Sequence, residues 1–323
     1  MNKYLKGNKK NYKKYQDQNQ GKEKEQGKRK GISSPVFCLV SSGFFVLLFV
    51  FVLTPLVGGA PTLSSQSASF ASPLPPEPFK TGLNYFYQGE YDKAIAELEK
   101  SIELDKDHAE SYYYLGQCYL QKGIIEYNKK NIFKANSLFR KANEVAEQAI
   151  PLYQKNIEEN PTVLDSYLKL AYIYELRSEV PFNDETDIAL DYYLQALEVI
   201  AQLELELELE EANANSSYSS SAPSGSSGSP SRYRPNYKGT KVSVNLHIGY
   251  LYFKQKKYAE AIEYLAEAEK LSPRNIEVNY YLGLSYDRIG EKEKAISFLS
   301  RVVELAPDSE YARKAKKKIE EIE

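Results

Sequence analysis

An all-α fold, in which helical hairpins stack behind a single apolar span, is predicted by three observations. Gly249, Ala261 and Pro273 return as Gly283, Ala295 and Pro307, each displaced by 34 residues. Within one such interval the small and apolar residues keep helical spacing. A run of 22 uncharged residues, VFCLVSSGFFVLLFVFVLTPLV from Val36, also follows a strongly basic segment.

Composition bounds the remaining classes. The 323 residues hold 42 Lys and Arg against 44 Asp and Glu, a formal charge of −2 that conceals an uneven distribution. Residues 1–35 carry eleven basic and three acidic residues, and no charge follows between Lys30 and Glu77. Two Cys and two His exclude a disulfide-stapled scaffold and leave too few ligands for a zinc site of those types. No cofactor, metal site or small-molecule substrate is expected.

The apolar run would form a helix of ~33 Å, enough to cross a ~30 Å hydrocarbon core with its backbone hydrogen bonds satisfied internally. Lys28, Arg29 and Lys30 stand before it, and the next basic residue is Lys80. The positive-inside bias then places the N-terminus in the cytoplasm and the rest of the chain across the membrane. A cleaved signal peptide is the rival reading, but the basic segment and the apolar run are both longer than that pattern expects. The basic tail reads as a topology signal; anionic-lipid or nucleic-acid binding through it is the weaker alternative. Beyond it, PTLSSQSASFASPLPPEP reads as an extended spacer.

In the first of the two matching intervals, Ile248, Gly249 and Tyr252 share one face of a first helix. Ala261, Leu265 and Ala268 share one face of a second. Gly249 and Ala261 let the two helices approach closely, and Pro273 stops the second. A single hairpin cannot bury its apolar face alone, so neighbours must stack on it. An earlier block from Gly82 places Ala94 at the same offset of twelve. This pattern resembles the tetratricopeptide repeat (TPR) family, which implies paired antiparallel helices stacked as a solenoid.

Five units are expected. The first carries Gly82, Tyr85, Ala94, Leu98 and Ser101, its opening turn occupied by Pro75, Pro76 and Pro78. The second carries Tyr112, Leu115, Gly116 and Tyr119 in its first helix. Its second helix admits two registers, Ala135, Phe139 and Ala142 or Ala149, Tyr153 and Asn156; the first places seven extra residues in the loop. Both predict long helices interrupted near Pro151. The third carries Tyr167, Leu170, Ala171, Tyr174, Ala189, Tyr193 and Ala196. After Pro307, Ala312, Ala315, Ile319 and Ile322 form one face of a terminal capping helix.

Two features depart from the family pattern: the chain has no Trp, and Asn245 and Asn279 stand where an aromatic is common, which weakens the packing expected there. Between repeats, Leu203 to Glu210 alternates Leu with Glu and reads as a fraying helical extension. Ten Ser in residues 213–231 then predict disorder. The expected organisation is a basic tail over 1–35, a transmembrane helix over 36–58, a spacer over 59–76 and three repeats over 77–203. A linker over 204–241, two repeats over 242–309 and a cap over 310–323 follow. Because two repeats and a cap fall short of the minimum for stability, the fourth repeat is expected to dock on the third.

The resemblance implies a groove lined by the first helix of each repeat, here Phe86, Tyr113, Tyr114, Lys169, Tyr172, His247, Tyr250, Phe253, Tyr280, Tyr281 and Arg288. So many tyrosines suit protein or peptide recognition. Lys80 and Asn84 have the spacing of a carboxylate clamp, but out of register, and Asp165 stands where a base is needed. No phosphate loop, metalloprotease or serine-hydrolase motif is present. His247 has no acidic neighbour in sequence to build a triad, and Cys118 reads as a small buried hydrophobe. The function expected is a non-enzymatic, membrane-tethered scaffold binding other proteins in a membrane or envelope complex. The alternative is a cytosol-facing receptor or assembly factor for client peptides.

Overall fold

The computed structural model describes residues 76–178, 184–218 and 236–323. The expectations for the tail, the span and the spacer fall on residues outside these, as does the Ser-rich core of the linker. Among the described residues no helix is long and apolar enough to cross a membrane.

Eleven α-helices and no strand occupy the described residues: α1 (Glu77–Tyr87), α2 (Tyr91–Leu104), α3 (Ala109–Asn128), α4 (Ile132–Glu159), α5 (Leu164–Ser178) and α6 (Thr186–Tyr218). After the linker come α7 (Lys238–Lys254), α8 (Tyr258–Leu271), α9 (Ile276–Arg288), α10 (Lys292–Leu305) and α11 (Glu310–Ile322). Each helix packs on its sequence neighbours, and odd-numbered helices also touch the next odd one at α1–α3, α7–α9 and α9–α11. The result is a one-dimensional stack of hairpins.

Small residues explain how closely the partners approach. A Cβ on Gly82, Gly249 or Gly283 would lie 2.9, 2.5 and 2.7 Å from Cγ of Leu98, Leu265 and Leu299, the leucine sixteen residues later in each case. These leucines are wholly buried, each worth ~2 kcal/mol of transfer free energy. The turn joining the helices is also shared. Gly89, Lys130, Lys256 and Gly290 all adopt left-handed backbone, with φ of 76°, 64°, 61° and 86°. The next residue then donates its N–H to the carbonyl five residues back, as Glu90 does to Tyr85 at 2.9 Å and Asn131 to Glu126 at 2.9 Å.

On the other edge, side chains cap α3, α9 and α11: Nδ1 of His108 accepts from Ser111 N–H, Asn275 Oδ1 from Val278 and Ser309 Oγ from Ala312.

The second repeat corrects the sequence reading twice. The long helices are as expected, but the seven residues that one register places in the loop are helical, so that both helices are lengthened beside the turn. Gly123 opposes the Phe139 ring, at the usual offset of sixteen, while Gly116 two turns earlier opposes Ala142 and Val145. The hairpin is therefore longer than its neighbours by about 10 Å. Nor is α4 interrupted: Pro151 lies within an unbroken helix. The helix survives because both flanks are held, Ala135 and Leu138 on one side of Pro151 and Ala149 and Tyr153 near it all being buried.

Two further differences have clear causes. Asn245 and Asn279 strengthen local structure: both are buried, with Nδ2 of Asn245 donating to the Lys241 carbonyl at 2.8 Å. Nδ2 of Asn279 donates to the carbonyls of Pro273 at 2.9 Å and Asn275 at 2.6 Å, closing the inter-repeat turn. The Leu-Glu run continues as regular helix through Tyr218, so 213–218 is helical where disorder was expected. Leu205 and Leu209 stand half exposed there, since α6 outruns its neighbours.

Repeats three and four pack directly. Ala171, Ala189 and Tyr193 share one buried cluster with Val244, Ile248 and Leu251. The junction is reinforced by Lys254 Nζ to Ser178 Oγ at 3.2 Å, Gln255 Nε2 to Asp187 at 2.8 Å and Lys241 Nζ to Glu204 at 2.6 Å.

Candidate interaction face

The odd-numbered helices bring their aromatic residues into contact across repeat boundaries. Phe86 of α1 meets Tyr114 of α3 edge-on at 5.4 Å, and Tyr114 meets Tyr113 at 5.2 Å. Tyr113 reaches Tyr172 of α5 at 6.4 Å, and Tyr172 reaches His247 of α7 at 6.4 Å. A second run joins Tyr250 and Phe253 of α7 to Tyr281 of α9 at 5.3 and 5.8 Å, and Tyr280 to Tyr311 of α11 at 5.1 Å. Edge-to-face contacts of this kind satisfy the ring quadrupoles, which is why the rings pack in this tilted fashion.

Within the first run Lys169 is buried. Its Nζ donates to Asp165 at 2.6 Å and Glu110 at 3.0 Å, and it lies over the rings of Tyr113, Tyr114 and Tyr153. Burial alone would lower its pKa, but Tyr153, Asp165 and Glu110 outweigh that and raise it. Lys169 is thus a charged tie between α3 and α5, with its ammonium already occupied.

Behind Tyr172 sits an arrangement that local spacing does not show. Nδ1 of buried His247 bonds Glu175 at 2.8 and 3.1 Å, and Tyr193 donates its hydroxyl to the same carboxylate at 2.7 Å while stacking on the imidazole at 5.2 Å. His247 therefore does have an acidic partner, 72 residues earlier in sequence and one repeat away. The available signal was Glu175 itself, a carboxylate four residues after Ala171 on the buried stripe of α5. Desolvation lowers the His247 pKa, but the Glu175 charge and hydrogen bond overcome it, with Glu277 adding to them, and the net shift is upward. Buried inside the repeat junction, the group is a structural tie.

The eleven expected residues thus divide. Tyr250, Tyr280 and Tyr281 are core, at 8%, 6% and 2% exposure, and Lys169 and His247 are buried ties. Phe86, Tyr113, Tyr114, Tyr172 and Phe253 are half-buried, and Arg288 is exposed at the end of α9. An open cleft of about 500 Å³ lies away from these rings, between the turn after α1 and the distal half of α3. Cys118 is buried and its thiol is pushed up to about 12 by that burial, so it is not a ready nucleophile.

Residues 252–319 match a family described as the tetratricopeptide repeat, and residues 82–123 match one described as the TPR repeat. Both ends of the stack therefore match tetratricopeptide-repeat models. A TPR repeat-containing protein of Methanocaldococcus jannaschii is 23% identical over 260 residues, covering 73% of this chain and 43% of that protein. The BBSome complex member BBS4 of Bos taurus is 24% identical over 226 residues, covering 70% of this chain and 37% of its own length. The chain spans less than half the length of these curated relatives. Among solved structures, a thermophilic TPR protein of Thermus thermophilus aligns at 16% identity with a TM-score of 0.43, covering 76% of this chain and 96% of that one. The families matched are repeat families, and no enzymatic family is indicated.

Proposed function

We propose that this TPR chain is a non-enzymatic interaction scaffold that takes a segment of another protein on the face built by its odd-numbered helices, while residues 36–58 hold it at a membrane. The observation that carries the binding reading is the aromatic run from Phe86 to Tyr172, whose rings support one another across three repeats while the residues stay half-buried rather than fully buried. Preorganised aromatic surface loses little side-chain entropy on binding. The tether rests on the 22-residue uncharged run and its basic flank, which also favour the repeats lying on the side opposite the N-terminus.

Site-specific crosslinking tests the first part. In the full-length chain, a photoreactive residue replacing Tyr114 or Phe253 should trap one and the same partner, while a probe at Arg140, exposed on α4, should not. Equal capture at all three positions would remove the face as the binding site. Carbonate extraction tests the tether separately: full-length protein should remain with the bilayer, and its release would discard the span. Protease digestion of the repeats only after the membrane is opened is the outcome expected for the proposed orientation.

A further inference from the structure

The apex of the lengthened second hairpin is unlike the rest of the surface. Phe133 is 92% exposed, Ile132 preceding it is 47% exposed, and Ile125 near the end of α3 is 40% exposed. Large apolar groups clustered at a protruding point mark a contact surface. Around them stand Lys122, Lys129, Lys130 and Lys134, against the single carboxylate of Glu126 in the same stretch. Glu126 is held inward by Asn131 Nδ2 at 2.8 Å, with Lys129 and Lys134 at 3.4 and 3.2 Å. Asp92 of α2 pairs with Lys122. The apex still keeps a surplus of positive charge. At its turn, Lys130 occupies a left-handed position that repeats one and five fill with glycine, despite the cost to a side chain with a Cβ.

We propose that this apex docks on an anionic lipid surface, with Phe133, Ile132 and Ile125 entering the boundary between headgroups and acyl chains and Lys129, Lys130 and Lys134 meeting the lipid phosphates. Two features favour lipid over a protein partner. In the stretch that carries Ile132 and Phe133, Lys129, Lys130 and Lys134 outnumber the carboxylate of Glu126. The extra two turns on each helix carry the tip beyond the neighbouring turns by about 10 Å, so it meets a flat surface first. This contact is distinct from the span at 36–58 and does not depend on it.

The chain contains no Trp, so Phe133→Trp places a single reporter at the tip of the full-length protein. It is to be combined with vesicles of phosphatidylcholine alone or mixed with phosphatidylglycerol, each carrying brominated acyl chains. Blue-shifted and quenched emission is expected in the mixed vesicles only, with quenching rising with anionic content. K129E together with K130E should reverse it, each lysine removed weakening the docked state by about fivefold. Leu104→Trp, at a position 70% exposed on the opposite edge, should stay unquenched. Emission from position 133 that is unquenched in anionic vesicles overturns the proposal. So does equal quenching in neutral vesicles, or equal quenching at position 104. Protection of the Trp by a copurifying protein in place of lipid also overturns it.

Discussion

At the residue scale, two kinds of glycine hold this stack for different reasons. Gly290 has φ of 86° and open space where a Cβ would stand, so Gly290→Ala should cost only conformational strain, about 1 kcal/mol. Gly249 is helical, and its Cβ would overlap Leu265 at 2.5 Å and press on the Ala261 carbonyl at 3.2 Å. Gly249→Ala should therefore lose about 2–3 kcal/mol, since an overpacked contact forces two helices apart. Chemical denaturation of the two variants checks the order; equal losses would refute the packing account. His247 supplies a pH signature. Its folded pKa lies above the unfolded value of ~6.5, so its contribution is complete below that pH and is lost as pH rises through the folded pKa. Unfolding free energy should accordingly fall on raising the pH from about 6, and His247→Asn should flatten that dependence. An unchanged slope in the variant would show that another group titrates.

The element scale is where the sequence was least legible. Gly249, Ala261 and Leu265 announce their hairpin because each has its counterpart 34 residues later, and the structure uses the same atoms for the same contacts. In the second repeat the extra turns come as sevens, which nearly preserve helical phase, so two registers fit the periodicity equally well. Both are used: Ala135 and Phe139 close the tip, and Ala149 and Tyr153 pack toward α5. Glu175 was hidden for another reason, since its partner comes from a separate repeat and leaves no local period. Pro151 makes a direct test. Within α4 it lacks an N–H to donate and crowds the Glu147 carbonyl, so Pro151→Ala should stabilise the protein by about 1–3 kcal/mol. A fall in the unfolding midpoint would mean instead that α4 requires the bend a proline imposes.

At the scale of the whole molecule, the insertion after α6 leaves the stacking register intact. Tyr172 meets His247 as Tyr250 meets Tyr281, rings of successive odd-numbered helices in both cases, although many more residues separate the first pair in sequence. Packing between the third and fourth repeats rests on Ala189, Tyr193, Val244 and Ile248 and on the Glu175–His247 bond, all contributed by helices on either side of the interruption. Covalent continuity across that interruption is then dispensable. A polypeptide ending after Tyr218 and a second one beginning at Asn236 should assemble when produced together, and the reunited pair should elute as one species and unfold in a single transition. Like a sentence broken by a parenthesis, the stack would read straight across the cut, which makes the interruption the natural place to splice in a reporter domain.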